Sequence, residues 1–361
     1  MLESKNNQAI QAIIDSYNEK LSRKLGQLED PKLILSRYYY KSFNAENAKF
    51  TVVMPICNQE SIIENVLKSL FENISISSNL IFVLDACTDK SEEILVRYIM
   101  NNYENFPLLL SVLVLTSKKD IFEATCENIA LSLTETQYFM SIQADIYLND
   151  RSFQRRALSA LEQNQDLAGV SAKAVLPLSD PRKKPLKQST SRFIRNIKTK
   201  LFKKGALKLG NFGSREIYFG DVSVMPKMQM KFNSVELNSI YLGEAIIRGP
   251  IVWKTSPLKK LGGINDVAFF LGWDDYDLSW RLWSQYRLRV GYLPAYSYSI
   301  PNTGTNSKAR NMATEAQYSI RKQIAALNPG ELSKLWELID NNNSIEFPKI
   351  EKRRIKQDRE P

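Results

Sequence analysis

Four apolar, strand-like runs alternate with amphipathic helical stretches over residues 50–142, and this alternation leaves the chain few folds to choose from. Phe50–Ile56 (FTVVMPI) is a continuous β-branched run, as a parallel strand covered by helices on both faces requires. Ile62, Ile63, Val66, Leu67 and Leu70 follow at helical spacing within Glu60–Phe71. Asn79–Asp85 (NLIFVLD) predicts the second strand and Asp89–Tyr103 its helix, and Leu108–Leu115 and Ile121–Leu133 form the third pair. Gln137–Ile142 (QYFMSI) is the fourth strand and runs into Gln143-Ala144-Asp145. Such alternation predicts an α/β fold: a doubly wound, mostly parallel sheet with helices on both faces. Ligands of open sheets bind beyond the carboxyl ends of the strands, near a topological switch point. That rule singles out Asn58 and Glu60 after the first strand, Asp85 after the second and Asp145 after the fourth.

The flanks read differently. Residues 1–48 are polar and helix-prone, with Ile10, Ile13, Ile14 and Tyr17 at helical spacing, and predict a helical N-terminal extension. Arg151–Asn164 predicts a helix and Gly169–Leu176 a strand. A basic segment follows, entered through Pro177, Pro181 and Pro185. Gly213–Pro301 is less regular, with turn signals at Gly249-Pro250 and Gly262-Gly263. Residues 307–342 return to helix, and the tail from Lys349 is charged and expected to fray. The expected organisation is one domain over 49–305, flanked by helical extensions at 1–48 and 306–361. Within the domain lie a donor half (49–176), the basic segment (177–212) and an acceptor half (213–305).

The chain contains no histidine. That removes the commonest general base, the commonest transition-metal ligand and every Ser-His or Cys-His nucleophile, so acid–base and metal chemistry must run on carboxylates. Cys57, Cys87 and Cys126 lack metal-ligand spacing and cannot build a disulfide framework, which fits a reducing compartment. The N-terminal residues lack the basic-then-apolar order of a signal peptide, and the longest apolar stretch is too short to span a bilayer, so a cytoplasmic location is expected. The net charge of +10 arises from one window, Arg182–Lys208, which holds eleven Lys/Arg and no acid.

Four segments carry a family resemblance. Phe50–Glu60 resembles the opening strand of family 2 glycosyltransferases, which ends in Pro-x-x-Asn-x-Glu at the nucleotide pocket. The resemblance implies donor contacts from Pro55, Asn58 and Glu60. Val83-Leu-Asp-Ala-Cys-Thr-Asp89 is similar to the family's Val-Asp-Asp-Gly-Ser-Thr-Asp and implies that Asp85 contacts the base, although Leu84, Ala86 and Cys87 depart from the pattern. Gln143-Ala144-Asp145 stands where the family has its DxD motif. This implies Asp145 as ligand to Mn²⁺ or Mg²⁺ and Gln143 as a partner for a ribose hydroxyl. Leu271–Arg281 (LGWDDYDLSWR) resembles Gly-x-Glu-Asp-x-Asp-Leu-x-x-Arg, with Asp274 in the Glu position, Asp275 implied as general base and Trp273 beside it. Arg248–Lys254 and Lys260–Asn265 look like the acceptor-side strand and the Gly-Gly-Phe-Asp turn, which places Arg248 and Gly249 on the acceptor side. Many relatives carry a metal-binding His after a strand like Tyr292–Ser299. Here Ile300-Pro301-Asn302-Thr303 stands there, leaving the position to Asn302, to water, or to Asp145 and the diphosphate alone.

The resemblance implies the GT-A fold and inverting transfer of a sugar from a UDP- or GDP-type donor to a glycan or lipid-linked acceptor, in surface or lipid-linked glycan synthesis. Phe193, Ile194, Ile197, Leu201 and Phe202 recur at helical spacing among the basic residues, the pattern of a helix lying on an anionic membrane surface. A solvated basic face accounts for the same run. Stacking aromatics or a groove-reading motif for nucleic acid are lacking. Asp274, Asp275 and Asp277 also suit a plain helix N-terminus. Asn128 and Glu60 equally suit solvated or first-turn helix positions. Two rival functions stay open: a sugar-phosphate nucleotidyltransferase, for which Cys57–Glu60 lacks the glycines of a phosphate loop, and a catalytically inactive scaffold or sugar-binding relative.

Overall fold

The computed structural model describes residues 8, 11–16, 19, 34–40, 47–118, 120–172, 175–176, 207–212, 215–219, 236–243, 245–246, 248–266, 274–299 and 351–356. In chain order the strands are β1 (Ile34–Tyr40), β2 (Phe50–Ile56), β3 (Ser78–Asp85), β4 (Leu109–Ser117), β5 (Tyr138–Ser141), β6 (Ile146–Leu148), β7 (Leu167–Ser171) and β8 (Val175–Leu176). They continue with β9 (Leu207–Phe212), β10 (Arg215–Phe219), β11 (Ser239–Gly243), β12 (Ala245–Ile246), β13 (Ile251–Lys254), β14 (Arg289–Tyr292), β15 (Ser297–Ser299) and β16 (Glu351–Arg354). The helices are α1 (residues 11–16), α2 (Ile63–Asn73), α3 (Ser91–Asn102), α4 (Phe122–Leu133), α5 (Phe153–Gln163), α6 (Thr255–Lys260) and α7 (Asp274–Tyr286).

Ten strands form one sheet in the order β1-β4-β3-β2-β5-β13-β7-β14-β11-β16. Residues 49–176 supply its parallel block, β4-β3-β2-β5, while β13 enters antiparallel between β5 and β7. The chain winds outward from β2 through β3 to β4 and then returns to the other side of β2 as β5, so the switch point lies at β2. Side chains alternate across the sheet and build two cores. Val52, Met54, Leu80, Phe82 and Leu84 pack with α2, α3 and α5, whereas Val53, Ile81, Val83, Leu113 and Leu115 pack with α4, α6 and α7. Every position of β3 is buried, as the unbroken apolar run requires. The expected α/β layering, helices on both faces of a sheet with a parallel centre, is what the chain adopts. Gly169 in β7 is needed at the seam between the two halves, because any Cβ there would collide with the indole of Trp253 on β13.

Two flanking segments differ from their sequence reading. Within the N-terminal extension α1 is helical and buries Ile14 in the core, but Ile34–Tyr40 (ILSRYYY) is a strand, paired antiparallel with β4 along the sheet edge. Its aromatic and β-branched content suits a pleated edge better than a helix. The tail likewise supplies β16, which closes the opposite edge against β11 instead of fraying. Ion pairs hold it: Arg289 to Glu351 at 2.5 Å and Arg353 to Asp166 at 2.7 Å. The end of the basic segment enters a β9–β10 hairpin, while its amphipathic stretch, Phe193–Phe202, lies outside the described residues. No helix among the described residues is long and apolar enough to cross a membrane.

Candidate active site

β2 and β5 part beyond Val53 and Ile142, at the switch point where a ligand crevice is expected. The two strands pair from Phe50↔Tyr138 to Val53↔Ser141, and the Ile142 N–H still reaches the Val53 carbonyl at 3.0 Å. Pro55 faces the same side as Val53 and has no N–H to continue the ladder. On its other side β2 stays paired with β3 as far as Ile56↔Leu84. The loops beyond these two strands are stitched together. Asn58 Oδ1 accepts from the backbone N–H of Thr88 at 2.8 Å and of Asp89 at 3.3 Å, and Glu60 Oε2 accepts from the Lys90 N–H at 3.1 Å. The Glu60 N–H in turn donates to Asp89 at 3.0 Å. Both side chains carried over as donor contacts therefore also fix the rim of the crevice.

Asp85, the last residue of β3, is buried, and its two oxygens accept the N–H groups of Ile121 and Phe122 at 2.8 and 3.1 Å. The carboxylate thus anchors the start of α4. Burial, and next the neighbouring Asp120 carboxyl, raise its pKa well above the ordinary aspartate value, while the two N–H bonds oppose them. The backbone around it is left-handed at non-glycine residues: Asn58 (φ 50°), Ala86 (φ 47°) and Phe122 (φ 68°). Such positions cost roughly 1–3 kcal/mol each and concentrate where backbone is held for a ligand.

The densest electrostatics surround Arg248, in the bend between β12 and β13. Its backbone N–H donates to Asp275 Oδ2 at 3.0 Å, and its Nε lies 3.3 Å from Asp275 Oδ1. Nη2 contacts Asp274 and approaches Glu127 to 3.7 Å, and Nη1 lies 3.2 Å from Glu123. One guanidinium therefore serves four carboxylates drawn from α4 and the first turn of α7. Burial raises the pKa of Asp274 and lifts that of Asp275 well above the usual range, with Arg248 opposing in both cases. Burial also pushes Glu127 to about 7 against the pull of Arg248, and Ser141 Oγ donates to its Oε1 at 2.5 Å. Next along, Gln143 Nε2 reaches Glu123 Oε2 at 3.3 Å, so Gln143, Glu123, Arg248 and Asp275 form a continuous series from the end of β5 to α7.

Asp277 and Arg281 have a different task. They pair at 2.7 Å, and Arg281 Nη2 donates to the Gly263 carbonyl at 3.0 Å. Asn128 clamps the same turn, exchanging two 2.8 Å hydrogen bonds with the backbone of Ile264. Asn128 is buried and holds a loop, so the solvated-helix alternative does not apply to it.

Asp145 sits in the turn between β5 and β6, closed by the Ile146 N–H on the Gln143 carbonyl at 3.1 Å. Gln143 and Asp145 are both half-buried. The pairing Ser299↔Ile146 brings the end of β15 beside this turn, while Asn302 itself, like Trp273, lies outside the described residues. Gly249 is buried in the Arg248 bend. Among the described residues no group of three or more Asp, Glu or Cys side chains could hold a metal. The described residues thus offer no all-protein cage, and an ion at the expected ligand Asp145 would need oxygens of a bound ligand as well. Glu123 and Glu127 were missed in the sequence. Their signal was two like charges one helical turn apart on an otherwise buried helix, an arrangement that needs a partner.

Residues 51–219 match the family model for glycosyl transferase family 2. Over that stretch the chain is similar to the family. The match spans β2 through β10 and so includes Asp85 and the Gln143–Asp145 turn. No curated protein matches the chain. Among solved structures it is similar to S. aureus TarS 1-349 in complex with UDP-GlcNAc, with 18% identity over 77% of this chain and 66% of that one, at a TM-score of 0.42. It covers 39% of the longer S. aureus TarS structure, at 18% identity and a TM-score of 0.39. The chain thus spans less than two thirds of the TarS chains it matches. The mannosyltransferase PcManGT from Pyrobaculum calidifontis, in complex with GDP-Man and Mn2+, is similar at 15% identity over 95% of this chain and 87% of that one, with a TM-score of 0.44.

Proposed function

We propose that the chain transfers a sugar, with inversion, from a UDP- or GDP-type nucleoside diphosphate sugar to the hydroxyl of a glycan or lipid-linked acceptor. The observation that carries this reading is the series Gln143–Glu123–Arg248–Asp275, which links the end of the donor strand β5 to an acid suited to act as base. The nucleoside lies over the ends of β2 and β3 against Pro55, Asn58, Glu60 and Asp85, and Gln143 orients the ribose. Asp275 takes the acceptor's hydroxyl proton as that oxygen bonds to the anomeric carbon, and the bond from that carbon to the diphosphate oxygen breaks with its electron pair leaving on the diphosphate. Asp274 and Arg248 hold Asp275 in place, with Gly249 and Trp273 on the acceptor side. Asp145 would hold a Mn²⁺ or Mg²⁺ ion, which would supply neutralisation of the departing charge. Burial raises the pKa of Asp275, which makes its carboxylate a stronger proton acceptor than an ordinary aspartate. The basic window 182–208 would keep the enzyme at the cytoplasmic face of an anionic membrane, where a lipid-linked acceptor is found.

The test is thermal stabilisation by UDP, GDP, CDP and dTDP, each with and without Mn²⁺, for the wild-type chain and Asp145→Ala. Selective, metal-dependent stabilisation that disappears in the variant supports the donor site through binding linkage. Indifference to every nucleotide at millimolar concentration contradicts it. Binding without transfer of sugar from UDP-GlcNAc, GDP-mannose or other donors of the bound nucleotide would indicate the inactive scaffold.

A further inference from the structure

Glu127 takes no part in the reaction as proposed, yet it is buried beside the residues that do. It lies on α4 one turn from Glu123, beside Ser141 of β5 and Arg248 of the bend, and interacts through its charge with Asp274 and Asp275 at the start of α7. Ser141 Oγ fixes one of its oxygens and Arg248 Nη2 faces the other. The same guanidinium grips Asp275 through Nε, so Glu127 and Asp275 draw on a single cation. We infer that Glu127 is a positioning residue for Asp275: by sharing Arg248 it sets how much of that cation's charge Asp275 receives, and hence the protonation of the base. The inference rests on the reading of Asp275 as base.

The coupling has a definite sign. With Glu127 ionised, Arg248 is divided among more carboxylates, Asp275 sees one more negative charge, and it holds its proton more tightly. With Glu127 neutral, the guanidinium is left to Glu123, Asp274 and Asp275, and Asp275 gives up its proton at lower pH. Burial pushes Glu127 to about 7, so its own change of charge falls in the neutral range, and acids coupled in this way titrate as a pair.

The experiment is a carboxyl ¹³C NMR titration of the full chain labelled at Asp and Glu side chains, with the Asp275 signal identified by its loss in Asp275→Asn. In Glu127→Gln the Asp275 midpoint should fall by roughly one pH unit, the low end of what a close like charge imposes. Glu127→Asp should restore it. Ser141→Ala, which removes the hydrogen bond that favours ionised Glu127, should move it the same way by less and covers the case in which Glu127→Gln fails to fold. A side chain that only fills space would change the melting temperature and leave the midpoint in place, and an unmoved midpoint overturns the inference. Because the titration needs no donor, that failure is separate from the failure of the functional reading, which would show as intact coupling without sugar transfer. Where transfer is measured, the acidic limb of the kcat/KM profile should shift with the midpoint.

Discussion

Replacing Arg248 with methionine removes one cation from four carboxylates while keeping most of the side-chain volume. Arg248 is 12% exposed, Glu127 5%, Asp274 7% and Asp275 16%, so solvent cannot take over the guanidinium's role. Breaking a buried ion pair by deleting one partner costs about 3–5 kcal/mol, and we expect Arg248→Met to fall in that range at pH 8. With a urea m-value of about 3 kcal/mol/M, the midpoint should drop by roughly 1–1.7 M. The loss should shrink on acidification. Removing Arg248 raises the folded-state pKa values of Glu127, Asp274 and Asp275 further, so above the unfolded carboxylate range the variant's native state binds more protons than its unfolded state. Stability of the variant then falls as pH rises and recovers as pH falls. Urea titrations followed by tryptophan fluorescence at pH 5.5 and pH 8 test this. An equal destabilisation at both pH values, or none at pH 8, would refute the picture of one cation neutralising a buried acidic cluster.

Asp85→Asn should flatten part of the wild-type pH dependence. The folded pKa of Asp85 is raised, so the wild-type chain loses stability as pH rises from about 4 through that folded value, and the amide removes this component; chemical denaturation across pH 4–8 checks it. Gly263→Ala should destabilise by roughly 2–4 kcal/mol in the same assay, since φ is +82° there and a Cβ would overlap Asn128 Oδ1, breaking its hold on Ile264. Arg353→Ala, whose partner Asp166 is 42% exposed, should cost no more than about 1 kcal/mol although it ties β16 to the sheet, and a larger loss would mean that the C-terminal strand matters more than its exposed pairs indicate.

The donor half was legible because burial on both faces leaves a continuous apolar run that little else in a sequence imitates. Phe50–Ile56 was read to the residue, and Leu108–Leu115 to within two residues of Leu109–Ser117. The edges were not legible, for opposite reasons. Ile34–Tyr40 sits in a polar stretch whose average composition favours helix, and only its own Tyr-rich run reports a strand. Glu351–Arg354 has no apolar pattern at all; its place depends on Asp166 and Arg289, far away in sequence. Among the candidate site residues, Asp85 and Asp145 stand out in the sequence because each follows a strand, and Gln143, Asp274 and Asp275 through their resemblance to the family's motifs. Glu123 and Glu127 carry a weaker signal, because acids on a helix ordinarily mean a solvated face and the arginine that gathers them enters from another part of the chain. Arg248 itself was placed only on the acceptor side, and its grip on Asp275 required the fold.

The central claim is that Asp275 deprotonates the acceptor in a sugar transfer, and the most direct measurement compares transfer by the wild-type chain and Asp275→Asn with the nucleotide-sugar found to bind. The account predicts a kcat lower by about 10²- to 10⁴-fold with donor affinity unchanged. Transfer by Asp275→Asn at the wild-type rate would contradict it.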